Sequence, residues 1–441
     1  MAPPALSKEP NYEESIDFNN LVKIDPEFKK LLVLNDGTMN WKNPKHVMQL
    51  TKCLLMRDFG LKLELPNNRL CPPVPGRYAY ISWIQALLDT SHESFSDKFN
   101  PERQVLGIDV GIGSSCIYPL LGTVARPSWR FYGTDIDQTN LDYAQKNISL
   151  NELGPRIRLL KTNELDRLFP LAKLNVQQAD FTMCNPPFFA SRSEMLATHE
   201  KGTPPSAVCT GAEVEMITEG GDAAYVCRMV VESKELGTKV QWYTSMLGKL
   251  SSVSEVVAQL KKLECQNWAV NTLRTHGKTK RWVVGWSWGD LRPRNDVARC
   301  DLPTRNVLPF PTEFSISAPN LSNIELADLL NKLIGELDVR WMWKQELWAG
   351  MVGAKKNTWS RAARRERARK ASKKPRGDEM EIDEAHDETE DDTSMTEDVE
   401  PALIVKIKVD QHHVSLRWLK GFDVVLFESF CTLIKREIDT K

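Results

Sequence analysis

The residues best suited to chemistry lie together in the stretch Asp180-Phe-Thr-Met-Cys-Asn-Pro-Pro-Phe-Phe189. An apolar run from Phe181 to Cys184 stops at Asn185, and two prolines follow that can neither extend a ladder nor readily open a helix. Proline fixes φ, so Asn185-Pro186-Pro187-Phe188 is a rigid corner at a strand's carboxyl end, where open α/β sheets bind ligands. The corner offers the Asn185 amide, two proline carbonyls and the face of Phe188. Asn185 and the Pro186 carbonyl can accept two N–H bonds while Phe188 stacks beneath a ring. Those parts suit a flat molecule with an exocyclic amino group. The same string also reads as a surface turn after a core strand, and what lies upstream decides between them.

Upstream, the strand pattern Val105–Val110 leads into Asp109-Val-Gly111-Ile-Gly113-Ser-Ser115, a tight glycine turn opening an apolar helix. The third glycine of the dinucleotide fingerprint is replaced by Ser115. Asp135 ends the next strand, near the interval expected of an acid that binds ribose hydroxyls. Asp109, Gly111, Gly113, Ser115 and Asp135 thus imply a nucleoside cofactor, without requiring a pyrophosphate.

These residues need a sheet to hold them, and the alternation along the chain supplies one. Strands are expected at 105–110, 130–135, 156–161, 181–184 and 239–246, with helices between them. A terminal hairpin, 268–273 with 282–288, closes the series around the polar loop Arg274–Arg281. Five βα units followed by a hairpin give an open, doubly wound α/β sheet. Residues 1–16 read as disordered and 17–90 as a helical extension, with one strand-like run at Leu61–Leu65. The sheet domain is expected over 91–290. Two short pieces, 291–350 and 401–441, are expected to share one small α/β domain, because each alone lacks core. The intervening 351–400 reads as a linker, basic over Lys355–Arg376 and acidic over Asp378–Glu400.

With 441 residues, 41% of them hydrophobic and 27% charged, the composition is that of a soluble globular protein, and the net charge of −1 hides that asymmetry. Nine scattered cysteines form no metal-ligand spacing, which points to a reducing compartment and no metal. No run approaches the ~18 apolar residues of a membrane span, so a cytosolic or nuclear protein is expected.

The combination of Asp-x-Gly-x-Gly, an acid after strand two, Asn-Pro-Pro-Phe after strand four and a seven-stranded Rossmann-like order resembles the class I S-adenosyl-L-methionine amino-methyltransferases. More closely, residues 18–290 are similar to the methyltransferase-like-sixteen family, the U6 snRNA adenine-N6 methyltransferases, as a fungal or lower-eukaryote member. The resemblance is carried by Asn40-Trp-Lys-Asn-Pro44, Arg69-Leu-Cys-Pro-Pro-Val-Pro75, Gly107-Ile-Asp-Val-Gly-Ile-Gly-Ser-Ser-Cys-Ile-Tyr-Pro119 and Met183-Cys-Asn-Pro-Pro-Phe-Phe-Ala190. Glu219-Gly-Gly221 and Trp242-Tyr-x-x-Met-Leu-Gly-Lys249 add to it. Two departures are Asp135, where relatives often carry Glu, and Lys278, where they favour Arg. The resemblance implies that S-adenosyl-L-methionine meets Arg77 through its methionine carboxylate, Gly111 and Ser115 at the turn, Asp135 at the ribose and Asn185 near the methyl. It also implies an RNA-contacting loop at Gly202–Gly211 and an RNA-gripping role for the C-terminal pieces.

RNA is expected from the cations Lys42, Lys249, Arg274, Lys278, Lys280 and Arg281 around the sheet's carboxyl edge, and the resemblance implies U6 snRNA as the favoured one. Any one of them also reads as part of a solvated face. Ribosomal RNA is the alternative substrate, and a catalytically silent RNA-binding protein on the same fold is the alternative function. The basic run is open between a nuclear-import signal, an RNA tether and a charged linker. A monomer without an obligate protein partner, nuclear and possibly also cytoplasmic, completes the expectation.

Overall fold

The computed structural model describes residues 9–195, 211–275, 280–301, 305–363, 365, 369 and 400–441. The chain divides into two compact units, Met1–Gly289 with Pro293–Pro309, and Asp290–Arg292 with Phe310–Lys441.

The first unit opens with helices α1 (Phe18–Ile24), α2 (Pro26–Val33), α3 (Pro44–Phe59) and α4 (Val74–Thr90). Asp17, Asp25 and Asn43 begin the first three by accepting free N–H groups of the opening turn, and proline lies in the first turn of α2, α3 and α4. Then follow β1 (Val105–Val110), α5 (Ile117–Ala125), β2 (Trp129–Asp135), α6 (Gln138–Leu150), β3 (Ile157–Lys161) and β4 (Ala179–Cys184). The unit's later elements are α7 (Gly221–Leu236), β5 (Val240–Leu247), α8 (Leu250–Lys262), β6 (Asn267–Thr272) and β7 (Trp282–Ser287). The seven strands are ordered β3-β2-β1-β4-β5-β7-β6. β1 to β5 run parallel, and β7 enters antiparallel between β5 and β6. The chain reverses direction across the sheet between β1 and β4, which opens a crevice at their carboxyl ends.

Helix α4 holds that crevice in place. Its Tyr80 hydroxyl lies 2.8 Å from Thr244 Oγ1, and Thr244 in turn donates to the Thr182 carbonyl of β4. Trp83 packs over Gly285 of β7, where a Cβ would collide with its indole.

Four expectations change. Leu61–Leu65 is extended but joins no sheet. Asn147 of α6 both accepts from the Glu64 N–H and donates to its carbonyl, and Asn151 does the same for Lys62, at 2.8–2.9 Å. Two side-chain amides thus replace a strand partner. Residues 9–16 are not a loose tail, because Tyr12 is buried with its ring 6.1 Å edge-on from Tyr78 and its hydroxyl on Asp58. Residues 1–8 lie outside the described residues. The sheet unit also extends past 290. Residues 293–301 and 305–309 cover the β6 edge, with Trp83 donating to Val297, Trp268 to Val307, and the Cys300 N–H to Val270. An otherwise open ladder is capped in this way.

The second unit is a five-stranded antiparallel sheet ordered β8-β12-β11-β10-β9. Its strands are β8 (Glu313–Ser317), β9 (Arg340–Lys344), β10 (Ala349–Ala354), β11 (Leu403–Asp410) and β12 (His413–Lys420), with helices α9 (Asn323–Gly335) and α10 (Val424–Asp439). β10 is the fourth correction, since the linker was expected from 351. Its Ala-Gly-Met-Val-Gly-Ala sequence has little strand propensity. Gly350 is required because Trp341 and Trp343 lie where its Cβ would be. Trp359, within the basic run, is buried edge-on to Phe430 and donates to Ser429. Most of the rest of 351–400 lies outside the described residues.

Candidate active site

At the end of β1 the backbone turns through Gly111 at φ +74° and Gly113 at φ +64°, values that a residue with a side chain rarely adopts. The Gly111 and Ile112 N–H groups both donate to the Thr134 carbonyl of β2. Ile112 then lies on Gly133, where any Cβ would overlap its side chain. The turn is thereby pressed against the neighbouring strand. Nothing lies within 4 Å of a Cβ built on Gly111, so its outer side is open.

Asp135, at the end of β2, accepts from the Gly113 N–H and the Asp137 N–H, each at 2.9 Å, and from the Asn140 amide. It therefore also shapes the glycine turn. Burial raises its pKa, and the three donors oppose that shift. Asp109 is wholly buried and neither of its oxygens has a hydrogen-bond partner. Burial pushes its pKa up to about 8, helped by Asp135 and opposed by Arg77.

Asn185 projects from the carboxyl end of β4 toward α4. Its Oδ1 accepts from Arg77 Nη1 at 2.8 Å, and the same nitrogen donates to the Tyr118 hydroxyl at 2.6 Å. Met246 Sδ lies 3.4 Å from Arg77 Nη1. Arg77 Nε is buried and unpartnered. After the two prolines, the Phe189 N–H donates to the Met216 carbonyl and its own carbonyl accepts from the Thr218 N–H, which fixes the exit of the corner. Phe188 lies against Gly248, and the Arg281 guanidinium stands 5.4 Å from its ring centre on the hairpin side.

The structure thus brings Arg77, Asp109, Gly111, Gly113, Ser115, Asp135, Asn185 and Phe188 to one end of the sheet, along with Arg281. Lys42, Arg274 and Lys280 are exposed. Lys249 is exposed and paired with Glu194 at 2.8 Å. Lys278 lies outside the described residues, as does 202–210 of the expected RNA loop.

Three contributors escaped the sequence reading. Tyr118 and Met246 sit in apolar helix and strand patterns that read as core. Glu215 follows the undescribed stretch, and its Oε2 accepts from the Leu70 and Ala212 N–H groups at 2.9 and 3.0 Å. No spacing in the sequence marks it.

Comparison with known proteins accounts for the arrangement. Residues 3–290 match a family model described as RNA methyltransferase. A U6 small nuclear RNA (adenine-(43)-N(6))-methyltransferase of Schizosaccharomyces pombe is 32% identical over 415 residues, covering 92% of this chain and 96% of the relative. The chain belongs to the methyltransferase-like-sixteen family. The human Mettl16 catalytic domain, solved with a MAT2A 3′UTR hairpin, superposes at a TM-score of 0.55 with 33% identity, over 65% of this chain and 98% of that one. The N-terminal domain of the human protein, solved with SAH, superposes at 0.52 with 30% identity, over 65% and 99%. The protein is an RNA adenine-N6 methyltransferase with a class I fold, and S-adenosyl-L-methionine is its methyl donor.

The residues present fit that donor. The unpartnered Arg77 Nε is a fork edge left for a carboxylate, and the two bare oxygens of Asp109 are acceptors left for an ammonium or hydroxyl. The open side of Gly111 permits close approach to backbone.

Proposed function

We propose that this chain methylates N6 of an adenosine unstacked from a structured RNA, with U6 snRNA as its substrate. The choice of RNA is supported by the fission-yeast relative, which it matches along nearly the whole length of both chains. The carrying observation is the Asn185 amide, held by Arg77 beside Phe188 at the end of β4.

Bound S-adenosyl-L-methionine supplies an electrophilic methyl on a sulfonium. The protein's task is to aim an amine at it. Asn185 Oδ1 has two lone pairs; Arg77 occupies one, and the other accepts from N6. The Pro186 carbonyl accepts the second N6 hydrogen, so the nitrogen lone pair turns out of the base plane. Stacking on Phe188 returns about 1–3 kcal/mol of the unstacking cost. Attack then depends on alignment at roughly 3–3.5 Å, and the proton leaves after the transfer, so no basic side chain is required. The C-terminal unit adds RNA affinity, and the protein works as a nuclear monomer.

Asn185→Ala tests the reading. Methyl transfer to a U6 hairpin should fall by about 100-fold or more, with measurable donor binding. Turnover within about twofold of wild type would remove Asn185 from the mechanism.

A further inference from the structure

Arg77 touches both halves of the site with one side chain. Its Nη1 is committed to Tyr118, Asn185 and Met246, whereas its Nε is buried without a partner. Guanidinium is planar and rigid, so fixing one edge fixes the direction of the other. The fixing contact is the Tyr118 hydroxyl, the shortest of the three, on a side chain buried within α5. Tyr118 is itself held edge-on by Tyr80 at 5.5 Å, and Tyr80 is anchored through Thr244 to the β4 carbonyl of Thr182. The chain of contacts therefore starts and ends on the strand that carries Asn185.

We propose that Tyr118 is a positioning residue that locks Arg77 as a bridge, with one edge on the Asn185 amide and the other presented to the donor's carboxylate. The inference rests on the functional reading above and goes beyond it, because it makes donor binding and the aim of the acceptor amide one event. A carboxylate arriving at Nε draws on the same guanidinium that orients Asn185 Oδ1. Without the Tyr118 hydroxyl the guanidinium can rotate about its stem, and neither edge stays aligned. Tyr118 is buried, and its hydroxyl is bonded to Arg77. Its loss therefore acts through Arg77.

Two nucleoside probes separate this role from a merely structural one. S-adenosylhomocysteine carries the amino-acid carboxylate, and 5′-methylthioadenosine keeps the nucleoside but lacks it. Calorimetry on the full chain should show Tyr118→Phe weakening the first about 3- to 10-fold while leaving the second within about twofold. Single-turnover transfer at saturating donor and RNA should slow about 10-fold or more, with KM for RNA little changed. Equal weakening of both probes, or of neither, would overturn the proposal. Should Tyr118→Phe fail a melting control, Arg77→Lys replaces it. Lysine keeps the charge but cannot present two edges, and the same split between probes is expected. If the wild-type protein leaves the hairpin unmethylated, the substrate reading falls, and the two probes still decide the bridge.

Discussion

The two sheets of this chain are built to different rules. The second is an antiparallel sheet with an apolar core of Val352, Val405, Ile407, Leu416, Trp418 and Phe430, packed on two amphipathic helices. The first has an equally apolar interior, yet its carboxyl edge gathers left-handed backbone at Gly111, Gly113 and Cys116 and the unpartnered carboxyl group of Asp109. Such features cost stability wherever they occur. Left-handed turns occur in both units, but at the end of β1 they coincide with an unpartnered buried carboxyl, at the place proposed for the donor. Local rules are broken where a ligand completes them.

The largest effect should come from breaking the second sheet while sparing the first. Trp418 is stacked on Phe427 at 5.3 Å and covered by Arg292 at 4.1 Å. Trp418→Ala should lower stability by about 3–5 kcal/mol in a denaturant titration. Donor affinity should not move, and a parallel loss of donor binding would break the contrast. The opposite change is Gly111→Val. There is room for the side chain, so its cost is conformational, about 1–3 kcal/mol from the positive φ. Affinity for S-adenosylhomocysteine should drop by about 5- to 100-fold, with a smaller loss of stability than in Trp418→Ala.

Acidity sharpens the comparison further. Asp109 holds its proton up to about pH 8 in the donor-free fold, and burial raises Asp135 in the same direction. The native state therefore binds protons that the unfolded chain has released above about pH 4. The stability this confers is complete below the ordinary carboxylate range, declines as pH rises, and is gone above about 8. Thermal melts of the donor-free protein should fall from pH 6 to pH 8, and Asp109→Asn should flatten that slope. An unchanged slope in the variant would mean that Asp109 is ionised throughout.

The sequence made the first sheet legible because its elements obey simple periods: apolar runs ending in glycine or proline, alternating with helical spacing. The Asn185 corner was legible for the same reason, since two prolines leave the backbone little choice. What escaped depended on partners distant in sequence. Leu61–Leu65 looks like a strand until Asn147 and Asn151 are seen to satisfy it. β10 looks like linker until Trp341 and Trp343 explain its glycine. Tyr118 is one apolar helix residue among many, and only its 2.6 Å contact separates it from the core. Local pattern reveals elements, whereas the use of a buried polar group is set by what folds against it.

The smallest effect concerns Arg281, where the two readings of a cation separate. Its guanidinium lies over Phe188, half-buried, with burial and the Arg77 charge both lowering its pKa. Gly248 also lies against Phe188, where a Cβ would stand 3.1 Å from a ring carbon. An adenine stacking on this ring needs one face, and the face under Arg281 clears by side-chain rotation. A displaced guanidinium next to RNA goes to phosphate. Arg281→Ala should therefore weaken binding of a U6 hairpin and reduce the salt dependence of binding by about one ion. Binding of S-adenosylhomocysteine should stay within about twofold. A salt slope equal to wild type would mean that Arg281 stays on the ring and shapes the pocket without reaching the RNA backbone.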